Sequence, residues 1–153
     1  MRSFADQGLR FIERCTACTA AAATEDFLAT IRRMGFAGGA CGAWAGIGRN
    51  RKVRFFFVDW PKDWIEFYEK NRFVEHDLLP VEARRRVSPF WFNEATAHLK
   101  LTEKQRQLYD AGVAYGWVDV FAVPIHGPGD MQGLVTMVTR KALTLSASEC
   151  SVL

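Results

Sequence analysis

The sequence predicts an α+β domain, an antiparallel sheet with helices packed on it, and three observations carry that reading. Apolar residues recur at helical spacing in several separate stretches. Two pairs of strand-like runs are each joined by a turn signal. These elements come in blocks, with helices, a hairpin, more helices, a second hairpin and a last helix, instead of the strand-by-helix alternation of a parallel sheet. A length of 153 residues suits one domain spanning 1–153, and 49% hydrophobic residues are ample for its core. A sheet covered by helices on both faces leaves room for a ligand between one face and its helices.

The elements follow in order. Residues 3–19 and 24–34 read as helices; Thr24 can cap the second, where Phe27, Leu28, Ile31 and Met34 share one face. Gly35 ends it. Residues 38–47 form a strand of small residues, with glycine where something approaches closely. Residues 48–50 are a turn signal, and 53–58 form a strong strand. Pro61 opens a helix carrying Trp64, Phe67, Tyr68 and Asn71. A short helix over 76–87 is broken by Ser88-Pro89, and Phe90 to Phe92 is extended. Thr102 caps a helix running to about Tyr115, with Leu108 and Ala111 inward. Strands over 118–125 and 133–140 flank a hairpin turn at 126–130, and Ser146 caps a final helix that stops abruptly.

Composition excludes several functions. A net charge of +3 is too mild for a nucleic-acid surface, and Arg84-Arg85-Arg86 reads as a solvated helix face. No apolar run approaches the ~18 residues of a membrane span. Charges interrupt the first residues where a signal peptide needs its apolar stretch, so the chain is expected in the cytoplasm without membrane partners. Cys15 and Cys18 form a C-x-x-C with no second pair; Cys41, Cys150, His76, His98 and His126 are scattered. No metal site or cofactor is expected, and the thiols read as reduced. Twelve Phe and five Trp are many for this length; they either fill the core or line an apolar pocket.

The informative stretch is Trp60-Pro61-x-x-Trp64-x-x-x-Tyr68, then Asp77, then Pro89-Phe90-Trp91-Phe92. Trp60, Trp64 and Tyr68 are spaced by four and share one helical face. Each ring has a polar tip that needs a partner when buried; a backbone carbonyl or the polar head of a ligand can serve. Asp77, flanked by apolar residues, can be a helix N-cap or can accept a hydrogen bond from a ligand amide.

These residues, in this order and spacing, together with V-P-I-H-G-P-G-D-x-x-G-L-V-T at 123–136, resemble the autoinducer-binding domain of LuxR-type quorum-sensing regulators, over about Gly35 to Arg140. The resemblance implies an α-β-α sandwich with a five-stranded antiparallel sheet. It implies an N-acyl-homoserine lactone enclosed between the sheet and one helix layer. Carried over by position, Trp64 donates to the lactone carbonyl, Asp77 accepts the amide N–H and Thr136 reaches the acyl carbonyl. Tyr68 packs against the ligand and orders the polar network, and Phe92 lies against the lactone ring. Phe56, Ala40, Gly42, Trp44, Trp117 and Phe121 are candidates for the walls around the acyl chain.

The chain departs from the family pattern at four places. Trp60 stands where a Tyr is usual, so an indole replaces the hydroxyl that holds the acyl carbonyl. Phe92 replaces a Trp, Leu78 a Pro, and Val120 a common Gly. Trp44, Phe56 and Trp60 are bulky, which points to a short, branched or aromatic acyl group, or to a non-lactone signal. The resemblance further implies a homodimer that reads DNA through a C-terminal helix-turn-helix, which is not in this sequence. A regulator lacking that half would instead act by capturing a full-length partner in heterodimers. Catalysis is not expected: the sequence has neither a nucleophile elbow nor a metal-spaced histidine cluster.

Overall fold

The computed structural model describes residues 4–15, 18–45 and 52–146. It is an α-β-α sandwich built on one five-stranded sheet. The elements in chain order are α1 (Phe4–Cys15), α2 (Ala20–Arg33), β1 (Gly38–Ala45), β2 (Lys52–Val58), α3 (Lys62–Lys70), α4 (Leu78–Arg85), β3 (Phe90–Trp91), α5 (Phe92–Thr96), α6 (Glu103–Ala114), β4 (Asp119–His126) and β5 (Gln132–Thr139). A single 3-10 turn, Phe73–Glu75, joins α3 to α4.

The sheet order is β2-β1-β5-β4-β3, and every pairing is antiparallel. Because side chains alternate along a strand, the register sorts the residues into two faces. Phe121 and Met137 are opposite one another and meet Ile31 of α2 and Met34 just past its end, with Phe36 beside them. Ala122 and Leu134 point the other way and meet Ala83 of α4, together with Trp44, Phe90 and Ala95. A third cluster sits further along that second layer, where Trp64, Phe73 and Leu108 are buried among Trp60, Phe67, Tyr68 and Trp117.

Close approach explains the small residues of β1. A Cβ on Gly39 would stand 2.6 Å from the Thr136 carbonyl oxygen, and one on Gly38 would stand 2.6 Å from that of Asp59. At Gly35 the backbone has φ +101, which glycine tolerates and which ends α2. Thr102 and Gln105 make a reciprocal capping box that starts α6 where the sequence places it.

Three expectations shift. The cap of α2 is Thr19, not Thr24, whose hydroxyl instead donates to the Ala20 carbonyl inside the helix. Ala20 to Ala23 are strong helix formers and carry the helix one turn upstream. Phe92 is not extended but begins α5, because β3 has only two residues and the Asn93 N–H turns to the Asp119 carboxylate. Of the C-x-x-C, Cys15 ends α1, whereas Cys18 lies in a bend outside the helix and donates weakly to the Cys15 carbonyl. The turn at 48–50 and the final helix after Ser146 lie outside the described residues.

Candidate functional site

A cavity of about 120 Å³ opens between the sheet and the layer made by α3, α4 and α6. Its floor is Val120 of β4 and Val138 of β5, the alternate residues that face this layer. The spacing of four along α3 brings Trp64 and Tyr68 to the same wall, and Trp60, just before the helix, joins them. Leu108 and Tyr109 close the side formed by α6.

The indoles are held firmly and yet lack a polar partner. Trp64 is only 4% exposed; it meets Trp117 edge-on with centroids 4.5 Å apart, and Tyr115 at 5.1 Å. Trp117 in turn contacts Trp60 at 6.2 Å. Among the described residues the indole N–H groups of both Trp60 and Trp64 are buried without a hydrogen-bond partner. A buried donor left unmade costs about 1–3 kcal/mol, so each is an unusual feature that an incoming acceptor would relieve.

Asp77 takes the helix-capping role open to it and also bonds Tyr68. Its Oδ1 accepts from the Leu79 N–H at 2.9 Å and so caps α4. Its Oδ2 accepts from the Tyr68 hydroxyl at 2.9 Å, and Asp77 is a lining residue of the cavity. No salt bridge to it forms among the described residues. Burial therefore pushes its pKa above the ordinary carboxylate value, against the downward pull of the Leu79 N–H and the Tyr68 hydroxyl. Burial and the neighbouring Asp77 charge raise the pKa of Tyr68, which keeps it a donor. Burial likewise raises Tyr109, whose oxygen accepts from the Leu78 N–H at 2.9 Å.

Of the residues singled out in the sequence, Trp60, Trp64, Tyr68, Asp77, Phe92 and Trp117 line the cavity. Thr136, Ala40, Gly42 and Trp44 share the sheet face that forms its floor but do not line it, and Trp44 packs in the cluster that includes Ala83 of α4. Two residues are placed elsewhere. Phe121 points to the opposite face, because strand alternation pairs it with Met137 beneath α2. Phe56 is 60% exposed: it is the extra residue where β2 bulges between the Gly42–Phe55 and Cys41–Phe57 pairs. Neither reaches the cavity, and the proposed wall is corrected accordingly.

Sequence reasoning missed Leu79, Tyr109, Val138 and Asp119 as lining residues. Val138 was recoverable by alternation from Thr136; Asp119 carried no signal. The Asp119 carboxylate accepts from the N–H groups of Asn93 at 3.1 Å and Val120 at 2.7 Å, and burial raises its pKa. Among the described residues no group of side chains could hold a metal ion, and no helix is long and apolar enough to cross a membrane.

Comparison with known proteins agrees with this architecture. Residues 19–150 match the family model described as the autoinducer binding domain. The crystal structure of CepR2 from Burkholderia cenocepacia, described as an N-acylhomoserine lactone dependent LuxR family transcription factor, superposes with a TM-score of 0.72. It is 19% identical, over 95% of this chain and 86% of that one. Escherichia coli SdiA superposes with a TM-score of 0.78 at 13% identity, over 98% of this chain and 64% of SdiA. SdiA in complex with octanoyl-rac-glycerol gives 0.76 at 13% identity, over 97% of this chain and 61% of that one. The chain thus spans under two thirds of SdiA. No curated protein matches it in sequence. On the family match over most of its length, the chain belongs to the autoinducer-binding domain family of LuxR-type regulators.

Proposed function

We propose that the cavity encloses an N-acyl-homoserine lactone. The observation that carries this reading is the pair of buried, partnerless indole N–H groups beside a buried carboxylate on one small cavity. Two donors and one charged acceptor complement an amide-lactone head, which offers two carbonyls and one N–H. Trp64 donates to the lactone carbonyl and Asp77 accepts the amide N–H. Trp60 and Thr136 hold the acyl carbonyl, and Phe92 and Trp117 pack on the ring and the first carbons. Thr136 is two residues from Val138 on the same strand face, about 7 Å away, within reach of a ligand lying on that floor. The cavity is smaller than the 300–1,000 Å³ usual for ligand sites, which favours a short, branched or aromatic acyl group.

The family is one of ligand-binding regulators, not an enzyme class. Binding is proposed to complete the fold of this domain in the cytoplasm and to set the geometry of a homodimer. DNA would then be read only through a helix-turn-helix outside this chain. The binding claim is tested by calorimetric titration of the domain with N-butanoyl-, N-hexanoyl- and N-dodecanoyl-homoserine lactone. Saturable binding of a short chain is expected, and a clear preference for the dodecanoyl chain contradicts the short-acyl reading. Asp119 favours a second reading. Asp77 and Asp119 both line the cavity and, among the described residues, no basic side chain does, as a cationic non-lactone signal would need. Binding of a protonated amine with no response to any lactone would select it.

A further inference from the structure

A third indole poses a question the head group does not answer. Trp44, on β1, is 5% exposed, and its N–H has no hydrogen-bond partner among the described residues. It is buried among Ala83, Phe90, Ala95, Ala122 and Leu134, with Leu79 packed against them, and the buried Gln132 is its cross-strand neighbour on β5. Leu79 is also a wall of the cavity and packs against the cluster that holds Trp44. Between them the sheet face carries the small residues Ala40 and Ala122, with Thr136 paired to both, while the Phe55 ring lies against Gly42. Leu134, against Trp44, lies four residues along β5 from Val138 in the cavity floor, about 14 Å at the rise of a strand.

We propose that the acyl tail runs from the cavity past Leu79 over this floor, and that Trp44 selects tails bearing a hydrogen-bond acceptor oxygen well beyond the amide. The inference rests on the lactone reading of the site. The physical argument is asymmetric. A saturated tail fills apolar space but leaves the Trp44 N–H as unsatisfied as before. A tail carbonyl at the right carbon converts that orphan donor into a bonded one. The indole also ends the path, because its ring occupies the face beyond Leu134 and stops longer chains. Trp44 thereby sets both the polarity and the length of the tail accepted.

The test is a panel of N-octanoyl-homoserine lactones, unsubstituted or carrying one ketone at carbon 3, 5 or 7, titrated into the wild-type chain and Trp44→Phe. At least one of the 5- and 7-keto isomers is expected to bind wild type about fivefold more tightly than the unsubstituted lactone, one net hydrogen bond's worth. That advantage is expected to vanish in Trp44→Phe, which keeps a ring but has no N–H. Should the variant not fold, the nitrogen-resolved NMR signal of the Trp44 indole in the wild-type chain answers the same question. It is expected to move downfield with the favoured ketone and not with the unsubstituted lactone. No gain from a 5- or 7-ketone, a gain that persists in Trp44→Phe, or an unmoved indole signal overturns the proposal. If the unsubstituted lactone and every ketone fail to bind wild type, the lactone reading itself fails and takes this inference with it.

Discussion

Replacing Asp77 by Asn should separate ligand affinity from stability in a way that a residue of structural role alone would not. Asn keeps the shape and the oxygen that accepts the Leu79 N–H, so the cap of α4 survives, and its amide can donate to the Tyr68 oxygen. The negative charge, which no basic side chain neutralises among the described residues, is removed. With the ligand absent, the variant should therefore be at least as stable as wild type at neutral pH. Binding should fall. A hydrogen bond to a carboxylate contributes about 1.5–3 kcal/mol, and its loss corresponds to about a tenfold to hundredfold weaker Kd. The pH dependence has a definite sign. The folded-state pKa of Asp77 is raised, so its contribution to stability is fully present below the unfolded carboxylate value and is lost as pH rises through the folded one. The stability advantage of Asp77→Asn should accordingly grow with pH across that window. Wild-type affinity should rise across the same window, because the ligand N–H binds the ionised form. Urea denaturation and calorimetric titration with N-hexanoyl-homoserine lactone at several pH values would measure both. A variant that is severely destabilised yet binds as tightly as wild type would refute the reasoning.

Other expectations follow from the same geometry. Trp64→Phe should weaken lactone binding by about 1 kcal/mol, roughly fivefold, without lowering the urea midpoint of the empty domain, since it removes a buried donor that has no partner there. Phe121→Ala should cost about 3–5 kcal/mol of stability, because the ring is 1% exposed beneath α2, while Phe56→Ala should stay within about 0.5 kcal/mol; thermal melts compare the two. A lactone at a hundred times its Kd should stabilise the fold by about 2.7 kcal/mol, or a Tm rise of about 5–10 °C, read by differential scanning fluorimetry. An unchanged Tm would mean that ligand does not select the folded state.

Much of this was legible in the chain because local chemistry and the tertiary fold agree. The spacing of Trp60, Trp64 and Tyr68 put three rings on one wall, and the capping signal at Thr102 placed α6. What stayed hidden depended on register and pairing between distant segments. Phe121 and Val120 are neighbours in sequence on opposite faces, and only the pairing of β4 with β5 tells which face meets α3 and α6. The bulge that exposes Phe56 comes from the way β2 meets β1 across the Gly42–Phe55 pair, which composition does not record. Asp77 was ambiguous for a physical reason: one carboxylate oxygen caps a helix while the other bonds Tyr68 at the cavity wall.

The most direct measurement is a crystal structure of the domain grown with N-hexanoyl-homoserine lactone. The account requires electron density for the lactone between α3 and the β4–β5 floor, its ring carbonyl within hydrogen-bond distance of Trp64 Nε1 and its amide nitrogen within that distance of Asp77. A lactone seated elsewhere, or one in the cavity with both of those groups turned away, would contradict it.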